Sequence, residues 1–191
     1  MRMRHLNEIP ELHDGDNWDF RAFENEPQKI KYEIIQGSQF FIKPFKGEYY
    51  YFMWDGHSTW YLILTKNDEY TIIGYLKLLK YTKLKNAMQV DGVDIHKKYR
   101  GQGLSTFMYR SVKNKTGVTI VSDYIQYKNY RQIWTSLASK DTVKIFDEDT
   151  KTLSNKIKIE NSDDSDIWGK NHAKNYWFLS QKPSMIYLVD N

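Results

Sequence analysis

Residues 96–109 read HKKYRGQGLSTFMY, and the way this stretch folds decides how the rest must be arranged. A basic cluster (His96, Lys97, Lys98, Arg100) runs into two glycines, Gly101 and Gly103, and then into a segment where Leu104, Phe107, Met108 and Val112 fall at i, i+3, i+4 and i+8. That spacing lines one face of a helix. Immediately upstream, MQVDGVDI reads as a strand. A glycine turn between a strand and a helix lets consecutive backbone N–H groups face one cavity. The orphan donors and the helix dipole both favour an anion there, and glycine allows it to approach closely. The stretch is not a Walker A loop, which needs Lys-Ser/Thr after its second glycine, nor a dinucleotide fingerprint, which needs a third glycine.

Working outward, the chain before this point is strand-like. YEIIQ, QFFIKPF, YYYFMW, STWYLILTK and YTIIGYLKLLKY are each rich in β-branched or aromatic residues. Turn chemistry separates them at Gln36-Gly37-Ser38, Lys46-Gly47, Asp55-Gly56-His57 and Asn67-Asp68. Connections this short force antiparallel neighbours, so this half is expected to be a meander. Beyond the glycine stretch and its helix come a strand, GVTIVSD, and a second helical pattern with Tyr130, Ile133, Trp134 and Leu137 at i, i+3, i+4 and i+7. Strand, helix, strand, helix predicts a parallel crossover. The tail, with TVKIFDED, NKIKIE, NYWFLSQ and MIYLV around an acidic loop, reads as further strands. Residues 1–29 carry little periodicity, and Trp18, Phe20 and Phe23 sit there among acids, as in an irregular segment docked by its aromatics.

IHKKYRGQGLS, residues 95–105, resembles the acetyl-CoA signature of the GNAT acetyltransferase superfamily, an Arg/Gln-x-x-Gly-x-Gly/Ala core preceded by a strand. Arg100, Gly103 and Ser105 take the three key places. Ser105 departs from the pattern and is still small. The flanks agree: Ile72-Ile73-Gly74-Tyr75 sits where the superfamily's sheet precedes its cofactor strand. Gln126, Tyr127, Arg131, Trp134 and Leu137 resemble a variant found among phage-encoded members. The resemblance covers roughly residues 49–147. It implies an α/β (α+β) fold, a GNAT-like mixed, mostly antiparallel sheet flanked by helices, with a splayed parallel strand pair holding acyl-CoA. The whole chain would be one domain with its core at about 30–147, followed by C-terminal strands and the acidic loop. It also implies an N-acyltransferase that uses acetyl-CoA as acyl donor to an amine. Val93 and Ile95 would pair with the pantetheine arm through their main chain, and the backbone of Arg100, Gly101, Gln102, Gly103, Leu104 and Ser105 would hold the pyrophosphate.

Acyl transfer to an amine calls for a base to neutralise the amine and an acid for the departing thiolate. Asp91, Asp94 and Asp123 are the acids near the expected crevice. Strand alternation puts Asp91 and Asp94 on opposite faces, and Asp91 and Asp123 are the base candidates, each also readable as a surface or turn carboxylate. The family often draws its proton from a Tyr that aligns here with Trp134, whose indole N–H cannot do that work. Tyr130, one helical turn earlier, or Tyr127 stands in, although in a chain with 15 Tyr either is also readable as packing. His96 reads as a solvated neighbour of the loop. The five His show no metal spacing, so no metal is expected.

With 40% hydrophobic and 16% aromatic residues the chain folds rather than staying disordered. No Cys is present, which excludes a disulfide framework, a thiolate zinc site and a cysteine nucleophile, and points to a reducing cytoplasm, the host's if the protein is phage-encoded. No apolar run suits a signal peptide or a bilayer span, so no membrane role is expected. The net charge of +4 is spread over a Lys-rich surface and acidic patches, and decides nothing about nucleic acid. The amine acceptor, whether small molecule, protein or nucleic acid, is unreadable, and a homodimer is left open. The alternative is a GNAT-like binding module without turnover, engaging a protein or nucleic acid.

Overall fold

The computed structural model describes residues 27–123, 128–138, 142–147, 152–154 and 176–181. The chain divides into two compact units, residues 1–77 with 93–104 and residues 78–92 with 105–191.

The first unit is built on an antiparallel meander. Strands β2 (Gln39–Phe45), β3 (Glu48–Trp54), β4 (Thr59–Lys66) and the start of β5 (Glu69–Tyr81) pair in sequence order, and β1 (Gln28–Ile30) pairs with β5. Two of the turns are two-residue links with both central residues left-handed, Lys46 and Gly47 at φ 51° and 84° and Asn67 and Asp68 at 52° and 59°. This conformation matches the twist of the strands it joins. The third turn is organised by Asp55, whose Oδ1 accepts the N–H groups of His57, Ser58 and Thr59 at 2.7, 2.9 and 3.0 Å. Alternation gives the sheet two apolar faces. On one, Phe41 stacks on its cross-strand partner Phe52 with centroids 4.6 Å apart, and Trp60 meets Phe41 edge-on at 5.4 Å. On the other, Met53, Tyr61, Ile63, Ile72 and Tyr75 form a buried cluster with Ile35.

Ile35 arrives there on a helix. The strand expected at YEIIQ is instead a one-turn helix, α1 (Tyr32–Gln36). Its β-prone residues are overruled because Gly37 N–H closes on Glu33 O at 3.0 Å and Ser38 Oγ donates to Ile34 O at 2.9 Å. The helix thereby buries Ile35 completely, a burial that stabilises by about 1.5–3 kcal/mol and outweighs intrinsic strand preference.

One irregularity shapes the end of the unit nearest the glycine stretch. Leu62 pairs with Gly74 while Ile63 pairs with Ile72, so Ile73 is the extra residue of a β-bulge. Its carbonyl accepts the His96 N–H at 2.8 Å. At Gly74 a Cβ would collide with Ile95 Cδ1 and stand 2.9 Å from the Asp94 carbonyl oxygen, so only glycine lets the strands lie this close.

In the second unit the first residues of β6 (Ala87–Ile95) run parallel to β7 (Thr119–Val121) through Ala87↔Thr119, Met88↔Ile120 and Gln89↔Val121. Helix α2 (Leu104–Thr116) makes the crossover and ends at Gly117, whose φ of 74° lets its N–H reach Lys113 O at 2.8 Å. Met108 and Val112 of the expected stripe are fully buried and Phe107 partly so. Helix α3 (Lys128–Ala138) buries Trp134 and Leu137, and Trp134 packs edge-on to Tyr109 at 5.7 Å. Beyond β7 lie β10 (Tyr176–Gln181), β8 (Thr142–Asp147) and β9 (Thr152–Ser154), paired antiparallel in that order. The fold is the mixed α/β class expected, a mostly antiparallel sheet with flanking helices and one parallel pair. No described helix is long and apolar enough to cross a membrane.

Candidate functional site

The chain leaves β6 at Ile95 and re-enters regular structure at Leu104. His96 opens a single 3-10 turn (Lys97–Tyr99), its Nδ1 accepting the Lys98 N–H at 3.3 Å. The expectation of a solvated His96 is overturned. The residue is only 3% exposed, its main chain tied to Ile73 and its ring capping the turn at Lys98 N–H and facing Tyr99 at 6.0 Å.

Arg100 turns back on the strand that precedes it. Its Nε donates to Ile95 O at 2.7 Å, and one terminal nitrogen lies 3.1 Å from each oxygen of Asp94. Asp94 Oδ1 in turn accepts the Ile95 N–H at 2.7 Å. A charge-assisted pair with its geometry fixed by neighbouring main chain is a firmer brace than an ordinary surface ion pair. The arginine of the signature therefore fastens the loop to the strand end, and Asp94 is committed to it. In the same arrangement both main-chain groups of Ile95 are engaged.

The glycines follow. Gly101 has φ 76° and Gly103 φ 82°, with Gln102 between them on the ordinary side. Alternating hand along successive residues is the backbone pattern that can bring neighbouring N–H groups to one side and accept an anion. Among the described residues the N–H groups of Gly101, Gln102 and Gly103 donate to no protein acceptor, and the chain runs directly into the first turn of α2, whose leading N–H groups have no intrahelical partner either. A Cβ on Gly101 would meet nothing within 4 Å and one on Gly103 only Phe45 Cζ at 3.8 Å. The glycines thus answer to backbone hand and to open space beside the loop, not to protein packing. This cradle fits a phosphate-bearing ligand.

The walls of the first unit carry residues that the sequence did not single out. The β2–β3 turn brings Lys46 to the loop, its Nζ donating to Gln102 O at 2.9 Å while it lies over the Phe45 ring at 5.5 Å. Phe45 packs against Tyr50 at 6.3 Å. Tyr50 is 5% exposed, and burial first, then the negative charges of Glu48 and Tyr99, raise its phenol above the usual 10.0. Lys46-Gly47 is recognisable in sequence as a turn, but no local pattern signals a bond to a residue 56 positions away.

The other expected residues are placed as follows. Val93 is buried, Leu104 is buried at the start of α2 and Ser105 is half-buried in its first turn. Asp91 is exposed on β6, with Asp94 three positions on and half-buried, and Asp123 is half-buried just after β7. Tyr130 falls on α3, its side chain outside what the structure describes, and Tyr127 lies outside the described residues altogether. Trp134, at 1% exposed, is core.

Residues 29–116 match the model of the acetyltransferase (GNAT) family, a segment that runs from β1 to the end of α2 and contains the whole loop. The match supports the GNAT superfamily and an acetyltransferase-type function. No curated protein and no solved structure matches the chain.

Proposed function

We propose that the protein is an acyl-CoA-dependent N-acyltransferase that moves an acetyl group from acetyl-CoA to an amine. The observation that carries this reading is the Gly101–Gly103 turn of two left-handed glycines, fastened to the end of β6 by Arg100 and running into the first turn of α2, a backbone arrangement suited to an anion. The thioester supplies an acyl carbon activated toward amine attack. The chain's part is to hold the pyrophosphate on the N–H groups of Gly101, Gln102, Gly103, Leu104 and Ser105, with Arg100 acting through its brace to Asp94 and Ile95. In this reading Val93 and Ile95 flank the pantetheine arm, and the Ile95 carbonyl, with two lone pairs, accepts from the arm while keeping its bond to Arg100. Asp91 or Asp123 takes the proton of the incoming amine. Tyr130 or Tyr127 gives one to the thiolate, since Trp134 is sealed against Tyr109. In this reading the enzyme works in a reducing cytoplasm, a host's if the phage-like pattern at 126–137 reflects its origin, and a homodimer is the oligomer to look for.

The buried Trp134 favours one second reading, a GNAT-like module that binds without turnover. Calorimetric titration with CoA, followed by thiol release from acetyl-CoA across a panel of amines, separates the readings. Binding with release supports the transferase, a folded protein without release favours the module that engages a protein or nucleic acid, and no heat at millimolar CoA sinks the transferase. Given turnover, Tyr130→Phe or Tyr127→Phe is expected to lower kcat on the order of 100-fold with CoA affinity unchanged, and full activity in both withdraws the acid role.

A further inference from the structure

Gln102 C=O and Gly103 N–H belong to one peptide plane, and in a trans peptide they point in opposite directions. The direction of the carbonyl is fixed, because Lys46 Nζ holds it at 2.9 Å. Lys46 is itself held. It sits in a two-residue turn at φ 51°, followed by Gly47 at 84° and closed by the Phe45↔Glu48 pair, with its ammonium over the Phe45 ring at 5.5 Å. Phe45 Cζ is also the nearest protein atom to the open side of Gly103, 3.8 Å from the Cβ position.

We infer that Lys46 is a positioning residue for the phosphate loop: by taking the Gln102 carbonyl it turns the Gly103 N–H away from the hairpin and into the cradle. The inference rests on the acyl-CoA reading and deepens it, assigning the pyrophosphate site a support from a strand far from the signature. Without Lys46 the Gln102–Gly103 peptide is free to rotate, since its two flanking residues tolerate either sense, one of them being glycine. The loop would then present a carbonyl oxygen to the anion in part of its population, and apparent affinity falls by the fraction of protein in the competent form. The lysine's charge adds attraction for the same ligand, so the test must separate orientation from charge.

The amide measurement in the free protein does so, and two affinity measurements on the full chain accompany it. In the free protein, Lys46→Met is expected to shift or broaden the Gly103 amide resonance, and Lys46→Arg, which keeps a donor, to restore it. CoA affinity is expected to fall roughly 10-fold in Lys46→Met and to recover in Lys46→Arg, the size of one lost charge-assisted hydrogen bond. Pantetheine, which lacks the phosphates, is expected to bind both variants like the wild type, a result that a general loosening of the hairpin would not give. An unmoved Gly103 amide, or CoA affinity unchanged in Lys46→Met, overturns the inference. If the wild-type protein itself shows no CoA binding, the acyl-CoA reading fails, and the free-protein spectra still decide whether Lys46 sets the loop.

Discussion

Gly103 combines a left-handed φ of 82° with open space where a side chain would stand. Gly103→Asp therefore introduces backbone strain and a negative charge at the point where an anion would be bound, and CoA affinity is expected to fall by on the order of 100-fold while circular dichroism stays native. Calorimetry checks this, and unchanged affinity in the folded variant would place the phosphate elsewhere. Tyr50 carries a different prediction. Its folded pKa lies above the usual 10.0, so as pH climbs past 10 the unfolded chain releases this proton first. The contribution is intact below pH 10.0 and is lost as pH rises through the folded value. Tyr50→Phe is expected to flatten the alkaline fall in stability, read from urea unfolding near neutrality and above pH 10. At this scale the sequence disclosed the residues whose constraint is local. Gly101 and Gly103 announce themselves by spacing and by what precedes and follows them. Lys46 and Tyr50 do not, and Asp94 shows only as an acid near the crevice, not as the partner of Arg100, because their meaning lies in partners brought near by the fold, and a lysine in a turn looks the same whether or not it reaches a carbonyl.

At the scale of elements, the bulge at Ile73 and the glycine at position 74 act together. The bulge sends the Ile73 carbonyl to His96, and Gly74 lets Ile95 come within side-chain contact of the backbone. Gly74→Val would force Ile95 and the Asp94 carbonyl aside, an overpacking expected to cost about 1–3 kcal/mol, visible as a lower urea midpoint. The same shift would move the origin of the Arg100 brace, so CoA affinity should fall with it. A Gly74→Val variant of unchanged stability would mean that the strands relax apart freely. Strands β2 to β7 and both long helices were legible because their periods are strong, Met108 and Val112 or Trp134 and Leu137 marking faces that are buried in the structure, whereas the strands expected at NKIKIE and MIYLV lie outside the described residues. YEIIQ was misread because five residues cannot display a period, and its composition favours strands. The parallel pair β6/β7 followed from topology, since a helix between two strands requires a crossover.

At the scale of the whole molecule, ligand and fold are linked by mass action: CoA that binds only the folded chain raises the melting temperature, by an amount equivalent to about 2.7 kcal/mol at a hundred times its dissociation constant. The hairpin that carries Lys46 adds a qualification to that linkage. Strand β2 pairs with β3 alone among the described strands, with Phe40 and Ile42 37% and 43% exposed, so this hairpin is a margin of the sheet rather than its interior. Margins open before the rest, through partial excursions that leave the core intact. Each such excursion would carry the lysine off its carbonyl and disarm the loop without unfolding anything else. Ligand affinity is therefore expected to decline on warming well below the melting transition, with the β2–β3 amides exchanging with solvent in step, which makes this small border of the sheet a built-in thermometer for cofactor capture.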